Sequence, residues 1–363
     1  MTVKEITKAI EDYAPLYLQE SWDNAGMQVG DMDSEVKGIL LCTDVREEIV
    51  DEAIGRGANM IISHHPLLFR GLKKIVGRSY QERIVAKAIK NDICIYCAHT
   101  NLDSALGGVN FKMAEKLGLK NVRVLAPQQG TMRKIVVFVP IEAVSEVEKA
   151  MCEAGAGRLG SYDSCSYSMK GEGHYRPLDG AKPWSGEVGI VHHEPEVRLE
   201  VLVNKALCGR VIAAMLKVHP YEEPAFDIIT LENDDNYAGL GVIGDIDPMP
   251  ARAFLKKIKD AFNVATIRYS GSLKNDVSRI AMCGGAGSEF MTEALAQNAH
   301  VYITGDMKYH DFQGNEERII LVDIGHYEGE QFTKEIFYDI IQKKNPNFAV
   351  DFAQNEKNQV NYL

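Results

Sequence analysis

Histidines and carboxylates are bunched at a few places in this sequence, and each bunch follows an apolar run. ILLCTDV leads to Asp44, MIISHHP to His64 and His65, and CIYCAHTNLD to His99 and Asp103. Farther along, VYITGDMKYHD carries Asp306 and His310, and ILVDIGHYEGE carries Asp323, His326, Glu328 and Glu330. Five of the ten histidines fall at these exits, more than scatter along the chain would put there. Imidazole with carboxylate is a donor set suited to Zn, Fe or Mn. The chemistry such a set supports is metal-assisted hydrolysis, in which bound ions acidify water.

Each pair has its own logic. Successive side chains of an extended chain point opposite ways, so His64 and His65 suit two adjacent ions better than one. Pro66 keeps the residue before it extended. His326 and Glu330 are four apart at an expected helix start and so share a face. A carboxylate such as Asp103 or Glu330 can serve either ion or bridge them. Taken singly, each motif has a plainer reading: a polar loop for HHP, a solvated helix face for HxxxE, a helix N-cap for Asp103. Only their convergence favours metal. His192 and His193, followed by Glu194 and Pro195, read as a solvated loop, and His174 and His219 as structural. The glycines of CGGAGSEF (Gly284, Gly285, Gly287) read as a tight strand-to-helix turn. They lack dinucleotide-binding spacing, and no phosphate-loop or nucleophile-elbow motif occurs.

Convergence requires parallel strands, because ligands of open α/β sheets gather outside the carboxyl ends of the strands. Residues 1–127 alternate apolar runs with helical patterns: KGILLCTDV, VREEIVDEAIGRG, ANMIISHHP, SYQERIVAKAIKND, ICIYCAHTNLD, GGVNFKMAEKLGL. The same alternation resumes in 236–363, through SRIAMCGGAG, AHVYITGDM, RIILVDIGH and the helix of GEQFTKEIFYDIIQKKN. Both stretches predict α/β halves, related units of one architecture. Between them, 128–235 follows a β-α-β-β-α-β order suggesting a ferredoxin-like α+β insert, with GSYDSCSYSMKGEGHYRPLDGAKPW as a Gly/Ser/Tyr-rich loop.

Composition narrows the class. The chain has 363 residues, 45% hydrophobic and 25% charged, as an ordinary globular protein of two or three domains would. Forty basic against 51 acidic residues give −11, which disfavours nucleic acid and anionic membrane as partners. No apolar run approaches the ~18 residues a membrane span needs. The N-terminal MTVKEITKAIEDYAPLYL reads as an amphipathic helix rather than a signal peptide. Seven cysteines, with CIYC (Cys94, Cys97) expected as buried thiols, fit a reduced cytoplasm.

SWDNAGMQVGD, ISHHPLLFRG, YCAHTNLDSALGGVN, ITGDMKYHDF and DIGHYEGEQF together resemble the motif series of the Nif-three-like family, across about 250 residues of the outer halves. Its members carry the name GTP cyclohydrolase I type 2 homologue and form toroidal hexamers with dinuclear metal centres. The segment ending in HPYEEPAFDII resembles the PII/CutA-like insert of longer bacterial members. The resemblance implies a Nif-three-like fold with a PII/CutA-like insert and two divalent transition-metal ions per chain, zinc first, then iron or manganese. The ligands it implies are His64, His65, Asp103, His326 and Glu330, its four-residue spacing selecting Glu330 over Glu328. Tyr309 stands where many relatives have histidine, leaving His310 as the candidate of that motif. On this reading His99 and His310 transfer protons or orient substrate, and the chain is a homohexameric hydrolase of a nucleotide or related small molecule. The alternative is a metal-dependent regulator or scaffold sensing a small ligand through its insert.

Overall fold

The computed structural model describes residues 1–314 and 318–361, which pack as two compact units. One comprises Met1–Pro127 with Asn236–Leu363, the other Gln128–Asp235.

The first unit contains two mixed sheets. In one, the spatial order is Gly26–Val29, Cys94–Cys97, Met60–Ser63, Ile39–Cys42, Val350–Phe352. The last four run parallel and the first is an antiparallel edge. The strands Ile39–Cys42, Met60–Ser63 and Cys94–Cys97 are buried at every position, as unbroken apolar runs between two helical layers should be. Alternate side chains feed the two layers. Ile39, Leu41, Met60 and Ile62 pack with Ile6, Ile10 and Phe337, while Leu40, Cys42 and Ile61 pack with Ile49, Val50 and Ile84. Local signals set the helix ends. Thr2 and Glu5 form a capping box before Val3–Tyr13, and Ser79 caps Tyr80–Lys90. Gly57, with φ of 73°, ends Glu47–Arg56 in the left-handed region where glycine carries no steric penalty.

In the other sheet the order is Arg268–Ser270, Ile320–Asp323, Val301–Gly305, Asp276–Ala286, Asp235–Pro250, Lys120–Gln128. Its central strands Asp276–Ala286, Val301–Gly305 and Ile320–Asp323 are parallel. One face packs on Phe254, Ile258 and Phe262 of helix Ala251–Phe262, the other on Ala294 and Leu295. The sequence halves therefore do not coincide with the sheets. Lys120–Gln128 joins the sheet of the later residues, and Val350–Phe352 returns to the sheet of the earlier ones.

The second unit follows the order β-α-β-β-α-β, with the strands arranged Ser166–Tyr175, His192–Asn204, Met132–Pro140, Phe226–Thr230. All pairs are antiparallel, the split arrangement of a ferredoxin-like sheet. Helices Val144–Glu153 and Cys208–Val218 cover one face through Val147, Met151, Val211 and Met215. Two expectations fail here. Ser166–Tyr175 is a strand, not loop, and His192 and His193 begin a strand instead of lying in a solvated turn. Seven of the edge strand's ten positions are exposed one after another, so no apolar alternation marks it in the sequence.

Candidate metal centre

Every central strand of the first unit's two sheets hands its chain to a turn or short helix at its carboxyl end, and these exits meet. Asp44 follows Ile39–Cys42, and His64 and His65 follow Met60–Ser63. Beyond Cys94–Cys97, His99 precedes helix Thr100–Ser104, which contains Asp103. From the second sheet, Asp306 follows Val301–Gly305, and helix His326–Glu330 follows Ile320–Asp323. The backbone of the histidine pair is fixed by sheet-like bonds: the His64 N–H donates to Cys42 O, the His65 N–H to Thr43 O.

The geometry divides the donors into two sets that share Glu330. His64 Nε2 lies 3.6 Å from Asp103 Oδ1 and 3.6 Å from Glu330 Oε1. His65 Nε2 lies 2.9 Å from Glu330 Oε2 and 3.3 Å from His326 Nε2, which is itself 3.2 Å from Glu330 Oε2. Each imidazole is oriented through its other nitrogen: His64 Nδ1 contacts Ala98 O at 2.9 Å, His65 Nδ1 Asp44 at 2.9 Å and His326 Nδ1 Asp306 at 2.8 Å. A carbonyl or carboxylate on Nδ1 leaves Nε2 as the inward-facing donor, the arrangement expected of metal-binding histidines.

A divalent ion fits this set. Donors bound at ~2.0–2.2 Å around a tetrahedral ion stand roughly 3.3 Å apart, within the spread of the separations above. His64 Nε2 and Asp103 Oδ1 are buried without a hydrogen bond. Leaving such atoms unsatisfied costs about 1–3 kcal/mol each, more for charged groups, and an ion would relieve it. Two groups of closely spaced donors, His64–His65–His99 and His65–His326–Glu330, overlap at His65.

Without an ion, the charges lean on one another. Burial opposes charge on His65, but Glu330 and Asp44 outweigh it and hold the imidazole well above its usual range. His326, half-buried and facing Glu330 and Asp306, is pushed up to about 9. Burial moves His64 down. Burial and the Glu330 charge push Asp103 up, whereas Glu330, despite its own burial, is held low by His64, His65 and His326.

His64, His65, Asp103, His326 and Glu330 thus come together, with His99 at their edge. His99 Nδ1 contacts Asp23 Oδ1 at 2.8 Å, and its ring lies 5.3 Å from that of His64. Asp23 also accepts from the Thr100 backbone and hydroxyl, and its carboxyl is lowered to about 2, with His99 and Thr100 outweighing its burial. Asp103 is not a cap: the next helix, Val109–Leu117, is preceded by Gly108 without a side-chain cap bond. His310 is not brought to the cluster. It lies exposed on helix Tyr309–Gln313, against Tyr309 and Gln313. Glu328 turns elsewhere, accepting from Asn358 at 2.7 Å.

Some contributors carried no distinct signal. Asp23 lies in SWDNAGM, with no local pattern to tie it to a histidine 76 residues away. Gly285, at a register irregularity near the end of Asp276–Ala286, has φ of 63°, and a Cβ there would stand 2.3 Å from Glu330 Oε1. The sequence reading puts Gly285 in a strand-to-helix turn; it lies instead at an irregularity within the strand, and its approach to Glu330 was not legible. On the His326 side lies a cavity of about 430 Å³, bordered by Asp44, His65, Arg268, Asp306, Tyr327 and Lys357.

Related proteins agree with this architecture. A Halalkalibacterium halodurans protein named GTP cyclohydrolase 1 type 2 homolog is 40% identical over 88% of this chain and 87% of its own. A Bacillus subtilis protein of the same name is 39% identical over 92% and 90%. The crystal structure of a Bacillus cereus protein related to NIF3 superposes with a TM-score of 0.84 at 38% identity, covering 100% of this chain and 99% of that one. The Duf34/NIF3 (NGG1p interacting factor 3) family pattern spans residues 1–359, and the chain belongs to that family.

Proposed function

We propose that this protein is a dinuclear metal-dependent hydrolase of a nucleotide or related small molecule. Its ligands would be His64, His65, Asp103, His326 and Glu330, for two divalent transition-metal ions, zinc first and iron or manganese next. The observation that carries the reading is the division of Glu330, one carboxylate oxygen beside His64 and the other beside His65 and His326. Ions held there would acidify water and polarise a substrate oxygen.

The chain's own residues supply the rest. Asp44, Asp306 and the Ala98 carbonyl keep three imidazoles aimed, so little reorganisation is needed when an ion or substrate arrives. The contact of His99 with Asp23 at the cluster's edge supports a role for this histidine in holding or passing a proton. His310 lacks such a placement. The cavity beside His326 falls within the size range of small-molecule sites. The relatives' name makes GTP the first substrate to try. Metal-loaded protein should turn over GTP or another member of a nucleotide and phosphoester panel. His64→Ala and Asp103→Ala should each abolish turnover without changing the assembly. That assembly we take to be a homohexamer, which light scattering would register as six chain masses. The seven cysteines are all unpaired, which supports our placing the protein in a reducing cytoplasm.

One observation favours a second reading, a small-molecule regulator. The insert, which we read as PII/CutA-like, holds a cavity of about 1020 Å³ bordered by Phe138, Tyr175, Trp184, Glu196 and Tyr221. Ligand binding mapped to residues 128–235, with no metal-dependent turnover on the panel, would establish that role instead.

A further inference from the structure

The insert has a second constellation of metal-ligand type, on the hairpin formed by Ser166–Tyr175 and His192–Asn204. Side chains two apart on a strand share a face, so Glu172 and His174 project together. His193 is the cross-strand partner of His174, and directly opposed residues also share a face. The three side chains meet accordingly. Glu172 Oε1 lies 2.9 Å from His174 Nε2 and 3.0 Å from His193 Nδ1, and the two rings are 4.2 Å apart between centroids. Each of the three can offer one donor atom within 4.8 Å of the other two.

The surroundings keep this face open and the ribbon in place. Pro195 stands opposite Glu172 in the register and offers its carboxylate no polar side chain. Gly173, between the two edge-strand donors, lies flush on the opposite face against Glu196: an added Cβ would fall 2.2 Å from that carboxylate. The side chains of Glu172, His174 and His193 are 55%, 56% and 57% exposed, so an ion can arrive from solvent without any opening of the fold.

We propose that Glu172, His174 and His193 form a separate site for a divalent transition-metal ion. Two imidazoles and one carboxylate are a recurrent zinc donor set that leaves a position for water or a donor from another molecule. Imidazole also suits Cu(II) and Ni(II), whereas Ca(II) and Mg(II) prefer all-oxygen sites. The present 2.9 and 3.0 Å separations need only widen slightly toward the roughly 3.3 Å edge of a tetrahedral zinc sphere. The site is independent of the cluster built around Glu330 and does not rest on the hydrolase reading.

Zn(II) retained by the full-length protein after equilibrium dialysis, counted by elemental analysis, tests it. His174→Ala/His193→Ala should retain one ion fewer per chain than wild type. Both positions are exposed, and an unchanged circular dichroism melt would show that the fold is intact. Glu330→Ala should lose ions from the other cluster yet keep this one. An equal count in wild type and His174→Ala/His193→Ala overturns the proposal. If Glu330→Ala loses ions in that same experiment, the separate cluster stands.

Discussion

Oε2 of Glu330 lies 2.9 Å from Nε2 of His65, joining the end of a late helix to the exit of an early strand. Because Oε1 faces His64, shortening this side chain should disturb both donor sets. Glu330→Asp withdraws the carboxylate by one methylene; in a chain also carrying His174→Ala and His193→Ala it should retain at most one of the cluster's two ions, read by elemental analysis after dialysis. Retention of both at wild-type affinity would show that the position does not bridge.

The residues behind the imidazoles should matter nearly as much. Asp44→Ala and Asp306→Ala each remove the partner of one Nδ1, and loss of such a partner lowers metal affinity by about 10–100-fold. Competition with a chelator measures this. Glu328→Gln is the contrasting substitution, because Glu328 is directed toward Asn358 and should leave affinity near that of wild type.

Gly285→Ala tests the close approach of strand and carboxylate. The new Cβ would meet Glu330 Oε1 at 2.3 Å. The left-handed backbone, φ 63°, adds a cost of about 1–2 kcal/mol for a residue with a side chain. Metal binding should fall sharply, with the denaturation midpoint lowered by only that modest cost. Wild-type metal affinity would mean that Glu330 can move aside freely.

How much of this was legible in the sequence follows from what local patterns encode. Buried parallel strands advertise themselves as apolar runs, so the exits carrying His64, His65, His99 and His326 could be found. Choosing Glu330 over Glu328 needed more, since both follow His326 closely; the family's spacing supplied it, and Glu328's contact with Asn358 gives the physical distinction. The exchange of edge strands between the sheets was not legible, because pairing partners are set by tertiary packing. Nor was Ser166–Tyr175, whose glycines and exposed polar residues look like a loop. His310 shows the converse: proximity in sequence to Asp306 did not bring it to the cluster.

The insert should have its own pH dependence. His219 Nε2 donates to Phe138 O at 3.0 Å and Nδ1 accepts the Tyr221 N–H at 3.1 Å, which requires a neutral ring. Burial lowers its pKa below 6.5, against the pull of the Phe138 carbonyl. The unfolded chain therefore takes up the proton first. This contribution is complete above the unfolded value and is lost as pH falls below it toward the folded value, by at most about 1.4 kcal/mol per pH unit. Urea midpoints measured from pH 7.5 to 5.5 should fall more in wild type than in His219→Gln. Equal losses would contradict the assignment.

The most direct test of the dinuclear centre is a metal count on protein carrying His174→Ala and His193→Ala, so that only the Glu330 cluster contributes. After reconstitution with Zn, Mn or Fe and dialysis, two ions per chain are expected. One ion or none with every metal would rule out a dinuclear centre.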